Sequence, residues 1–104
     1  MDQLKYEAEH LRLGIRGGWL PVRDAVVWAD KQIAESPEPH ATLLDVSLAG
    51  NCPREEMATL LASVPGSADP VSVMRACLAH LLRMVEREPT LAREVAQWLY
   101  VSAT

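Results

Sequence analysis

The side chains of this chain that could bind a metal or attack a substrate are three histidines and two cysteines. His10, His40 and His80 lie far apart in the sequence, and the motifs His-Glu-x-x-His and Cys-x-x-Cys do not occur. The common zinc-binding motifs place such residues at close and regular spacing, which this sequence does not show. We therefore expect no metal, no cofactor, no catalytic residue and no enzymatic activity, with the three histidines at the surface or at its boundary.

We expect the two cysteines to lie in different environments. Cys52 precedes a predicted helix, where the helix dipole can lower the pKa of a thiol, but the sequence offers it no histidine base. Cys77 falls beside an apolar stripe and is expected in the core. The stretch 1–7 lacks the basic and then apolar pattern of a signal peptide. We expect a cytoplasmic protein with reduced thiols.

Composition narrows the class of protein. The chain has 104 residues, 49% of them hydrophobic and 23% charged, which is typical of one globular domain spanning 1–104. Its formal net charge is −4 and its basic residues are scattered, whereas nucleic-acid-binding proteins carry a clustered basic face. Apolar runs stay well below the roughly 20 residues of a membrane-spanning helix. These features argue against nucleic-acid and membrane partners.

Proline placement predicts the elements that position these residues. Each of the seven prolines lies at the start of a segment with helical periodicity or between two such segments. The predicted helices span about 2–13, 21–36, 39–49, 53–64 and 70–87, with a last one from 89 onward. We expect Gly14 and the pair Gly17-Gly18 to end the first. The fold class is all-α, an irregular bundle of about six short helices.

The predicted helices 39–49 and 70–87 show patterns that the other segments do not. Segment 39–49 alternates apolar and polar residues as a strand does, but it has no partner strand, so we interpret it as a short buried helix. The helix 70–87 has Asp69 as its N-cap and an apolar arc over about half its circumference. Such a wide arc predicts that this helix is the centre of the core. The arc contains the stripe Val71, Met74, Leu78, Leu81, Leu82 and Val85, widened by Val73, Cys77 and Met84.

Four apolar residues on the first two helices lie outside the main apolar stripes. Tyr6 and Leu13 do so on the first helix, and Val27 and Trp28 on the second. Tyr and Trp are common at interfaces because they combine large contact area with a polar tip. We predict that these four residues form a protein-binding surface and that the partner is another protein or a second copy of the chain.

Two alternatives remain open. Residues 54–82 could be taken for a DNA-reading helix-turn-helix, although the connection 64–70 is longer than the usual turn of three or four residues. A DNA-associated helical regulator is therefore one alternative. The other is a small-ligand binder or an enzyme whose site assembles from residues distant in sequence.

One stretch also resembles a known group of proteins. The run 27–33, Pro39 and the run 44–49 are similar to a pattern in small helical bacterial proteins that are loosely grouped with immunity proteins of polymorphic toxin systems. The resemblance covers about residues 12–64 and includes no catalytic motif. It implies a helical bacterial protein that acts by binding another protein, and it identifies no binding residue.

Overall fold

A computed structural model describes residues 2–103 of the chain, and the side chains of residues 2–100. Over this range the chain forms six α-helices, one short 3₁₀ turn and no strand. The all-α prediction is confirmed. The helices are α1 (Gln3–Gly17), α2 (Val22–Glu35), α3 (Ala41–Leu48), α4 (Arg54–Ala62), α5 (Pro70–Arg87) and α6 (Ala92–Ala103), with the 3₁₀ turn Pro89–Leu91 before α6.

Local sequence signals explain where several helices begin. Pro21 and Pro53 lie directly before α2 and α4 in an extended conformation, and Pro70 is the first residue of α5. The Asp69 carboxylate accepts hydrogen bonds from the backbone N–H groups of Val71 and Ser72 at 3.4 and 3.3 Å. Asp69 is therefore the N-cap of α5, as predicted.

The segment with alternating polarity forms the helix α3 rather than a strand. His40 caps it, because its Nδ1 atom accepts a hydrogen bond from the N–H of Thr42 at 3.1 Å. Only one face of α3 is buried: Val46 is inaccessible to solvent, whereas Leu48 is 86% exposed. The expectation of a helix is confirmed, but the expectation that it is buried holds for one face only.

The first helix continues past Gly14, where we expected it to end. It runs to Gly17 and ends at Gly18, whose φ of 97° lies in the left-handed region that favours glycine. The turn after α1 folds back over Gly14, and a side chain there would meet Leu20 and Trp19. Gly14 serves close packing rather than helix termination.

The core has two parts, and α1 contributes to both. Ala8 and Ile15 of α1 lie in the first cluster, which α2, α3 and α4 complete. Tyr6 and Leu13 of the same helix pack against the second cluster, which α5 and α6 supply. Because α1 contacts α2, α4, α5 and α6, it is the central helix of the fold.

The prediction that α5 is the centre of the core is wrong. This helix contacts α1, α6 and the 3₁₀ turn, and its buried residues are Val73, Cys77 and Leu81. Its apolar arc is wider than the surface that these neighbours cover, so one side of the arc remains in solvent.

Two side chains fasten α1 to α4. The Lys5 ammonium is largely buried and donates a hydrogen bond of 2.8 Å to the carbonyl oxygen of Ala62 at the end of α4. Arg54, at the start of α4, donates to the carbonyl oxygens of Ile15 and Leu20 at 3.0 and 2.6 Å. Each bond satisfies a carbonyl at or just beyond a helix end. Among the described residues, no helix is both long and apolar enough to cross a membrane.

Candidate functional site

A surface groove of about 480 Å³ lies where α1, α2 and α5 meet. Ala76 and Ala79 of α5 leave room for it, and Tyr6, Leu11 and Trp28 form apolar walls. The structure thus brings together two of the four predicted binding residues, Tyr6 and Trp28. The full lining is Tyr6, Glu7, His10, Leu11, Trp28, Ala76, Ala79 and Arg83.

Two histidines from different helices meet beside this groove. The imidazole rings of His10 on α1 and His80 on α5 lie edge to face, with centroids 6.0 Å apart and planes at 86°. Burial lowers the pKa of His10, and the neighbouring charges of His80 and Arg83 lower it further. Burial also lowers the pKa of His80, again helped by Arg83. Both rings are therefore mainly neutral near pH 7.

Sequence reasoning missed this histidine pair. Three helices, α2 to α4, separate the two residues in the sequence, and the packing of α5 on α1 brings them together. No local spacing signals such a contact. The expectation that the histidines lie at the boundary of the surface does agree with the partial burial of His10 and His80.

The groove is lined mainly by apolar side chains. Trp28 contributes a buried indole N–H that has no hydrogen-bond partner within residues 2–100. Over the same range, no cluster of three His, Cys, Asp or Glu residues could hold a metal ion. The groove side chains Glu7, His10 and Arg83 form no ion pair with one another in the described part of the chain. The groove therefore offers apolar contact together with the polar side chains of Glu7, His10 and Arg83.

The cysteines have raised pKa values. At Cys52, burial and then the nearby Glu56 carboxylate raise the pKa of the thiol, so the lowering that a helix start can cause does not prevail here. At Cys77, burial raises the pKa to about 11 against the opposing charge of Arg12. Both thiols are therefore protonated near pH 7, which makes them poor nucleophiles.

A second feature is an exposed apolar row on α5, which we call the α5 face. It consists of Val71, Met74, Leu78 and Leu82, whose side chains are 57%, 37%, 44% and 59% exposed. Their spacing of three, four and four residues places them within an arc of about 80° on one side of the helix. Contiguous exposed apolar surface is uncommon on monomeric proteins, where it often marks an interaction site.

The other two predicted binding residues lie outside the groove. Leu13 is half-buried and lines a shallow depression with Val73 and Met74, next to the α5 face. Val27 is 66% exposed on α2 and lines neither the groove nor this depression. The four residues therefore do not form one surface.

Sequence reasoning assigned the α5 face to the core. The signal that could have identified it is the width of the apolar arc on α5, since one packing contact covers only part of such an arc. We read that width as evidence of several neighbours within the domain. Leu81 on one side of the arc is indeed buried, whereas Leu78 and Leu82 are not.

No family model, curated protein or solved structure matches the chain significantly.

Proposed function

We propose that this chain is a protein-interaction module without catalytic activity, and that its α5 face binds an apolar helix of another polypeptide chain. The observation that supports the proposal is the row of four apolar side chains that remains in solvent along α5. Covering such surface is favourable by about 25 cal/mol for each Å² of apolar area removed from water. An immunity-like role of a bacterial protein, as the resemblance over residues 12–64 implies, is one form of this proposal.

The shape of the α5 face favours a helix as its occupant. The row from Val71 to Leu82 follows one straight helix over eleven residues, or about 16 Å at 1.5 Å per residue. Apolar side chains spaced three and four residues apart form the ridges that pack into the grooves of another helix. An isolated side chain or a small molecule would cover only one part of such a row.

The two alternative functions have less support. A DNA-binding role would need one basic row, but Arg75, Arg83 and Arg87 spread over about a third of the circumference of α5. A small ligand could occupy the groove, whose volume of about 480 Å³ is within the usual range for ligand sites. The groove, however, is an open surface feature whose walls are mainly apolar.

The proposal is tested with tagged full-length protein used to capture partners from the cells that make it. We compare the parent with Leu78→Lys, which places a charge in the α5 face, and with Leu48→Lys, a matched change at an exposed leucine of α3. Circular dichroism first verifies that both variants are folded. The proposal predicts a partner that the parent and Leu48→Lys retain and that Leu78→Lys loses. Equal retention by all three proteins would show that the α5 face is not the binding surface.

A further inference from the structure

One long edge of the α5 face carries two opposite charges. Arg75 and Glu86 are both exposed, and they lie eleven residues apart on the same helix. Eleven residues make slightly more than three full turns, so the two side chains share nearly the same direction and are separated by about 16 Å along the helix axis. Among the described residues, neither takes part in an ion pair. The edge is thus positive towards one end and negative towards the other.

An edge of this kind is complementary to a reversed copy of itself. If a second α5 helix lies antiparallel to the first, Glu86 at the negative end of its edge lies beside Arg75 at the positive end of the first edge. The same contact occurs at the other end with the two copies exchanged. In a two-fold symmetric pair the same surface patch serves both copies, so each favourable contact occurs twice. The charge pattern therefore indicates what kind of helix fits the α5 face.

We propose that the α5 face binds a second copy of this chain, with the two α5 helices antiparallel about a two-fold axis near the level of His80. This inference rests on the proposed function and names its partner. In this register Leu78 of one copy lies opposite Leu82 of the other. Arg75 lies within about one residue, or 1.5 Å along the axis, of Glu86 of the second copy.

The apolar and charged contacts have different roles in this dimer. The leucines supply most of the affinity because they lose contact with water on association. The exposed ion pairs add little affinity, but they select the antiparallel arrangement, since like charges that face each other are unfavourable. A contact built on one helix is small compared with the roughly 800 Å² that each partner buries in a standard interface, so the dimer is weak.

The experiment is sedimentation equilibrium of the full chain over concentrations from about 1 μM to about 1 mM, a range that brackets weak association. We compare the parent with Arg75→Glu and Glu86→Arg, each alone, and with an equimolar mixture of these two variants. Each variant alone places like charges opposite each other, and we expect its dissociation constant to rise about tenfold. In the mixture, the Arg75→Glu chain carries two acidic residues along this edge and the Glu86→Arg chain carries two basic ones. We therefore expect the heterodimer to form at least as tightly as the parent dimer.

Two further variants separate this inference from the proposed function. Leu78→Lys should be monomeric throughout, whereas Leu48→Lys should associate as the parent does. A parent chain that is monomeric at every concentration would overturn the second copy as partner, while the capture experiment would still decide whether the α5 face binds another protein. A dimer that Leu78→Lys leaves intact would use a different surface, and a dimer indifferent to the charge reversals would not be antiparallel. Either result overturns the inference.

Discussion

Gly14 and Leu20 lie so close together that a methyl group added at Gly14 would fall 2.6 Å from the Cγ atom of Leu20. The chain folds back on itself after α1, and the carbonyl oxygen of Gly14 accepts the N–H groups of Gly18, Trp19 and Leu20 at 3.0, 3.0 and 3.1 Å. This turn places Trp19 in the second core cluster. Close backbone approach at Gly14 therefore connects the end of the central helix with the packing of α6.

The first prediction is that Gly14→Ala destabilises the protein although alanine favours helices by about 1 kcal/mol over glycine. Overpacking of this kind usually costs about 1–3 kcal/mol, so we expect a net loss of free energy of unfolding in urea. Gly50→Ala is the matched control, because the nearest atom to an added methyl group there is Val26 Cγ2 at 3.7 Å. A Gly14→Ala protein more stable than Gly50→Ala would contradict the close packing.

The sequence predicts the structural features that depend on residues within one helical turn, but not those that depend on how other parts of the chain pack. The start of α5 could be predicted, because Asp69 and Pro70 act within one helical turn. The packing role of Gly14 could not, since it depends on Leu20, which approaches from the following turn. The exposed position of Leu78 likewise depends on which helices cover α5.

The same distinction applies to the candidate site. Sequence periodicity identified Tyr6 and Trp28 as residues outside the main apolar stripes of their helices, and the structure places both at the groove. It could not indicate that Leu13 would lie beside Met74 or that Val27 would stand apart. Periodicity gives the direction of a side chain around its own helix, but the neighbour that it meets is set by the packing of the whole bundle.

The second prediction compares two leucines of α5 that are three residues apart. Leu81 is 1% exposed, so Leu81→Ala should lower the free energy of unfolding by about 2–5 kcal/mol. Leu78 lies in the α5 face, and Leu78→Ala should cost less than about 1 kcal/mol. Urea unfolding at low micromolar concentration, where association contributes little, measures both. A loss at Leu78 as large as the expected loss at Leu81 would contradict the exposed position of Leu78 in the α5 face.

The third prediction concerns the largely buried ammonium of Lys5. Lys5→Met removes a charged donor from the carbonyl oxygen of Ala62, and bonds to charged groups contribute about 1.5–3 kcal/mol. We expect a loss of that order in urea unfolding. Lys31→Met is the matched control, because Lys31 is exposed on α2 and its replacement should change stability by less than about 0.5 kcal/mol. Similar values for both would mean that the bond between α1 and α4 contributes nothing measurable.

The last prediction is that acidification weakens the protein through the pair His10 and His80. Both pKa values are lowered from the ordinary value of 6.5, so between that value and the lower folded one the unfolded chain binds more protons than the native chain. The stability from the neutral pair is therefore present above about pH 6.5 and falls as the pH drops through that window.

Urea unfolding at about pH 7.5 and about pH 5.5 measures this effect on either side of the ordinary histidine pKa. The double variant His10→Gln/His80→Gln should lose less stability between the two pH values than the parent, because glutamine does not titrate. His40→Asn is the control: it removes a histidine that caps α3 outside the pair and keeps a side chain that can cap a helix. If the double variant and His40→Asn show the same pH dependence as the parent, protonation of the pair does not couple to folding, and the acid sensitivity must come from the carboxylates.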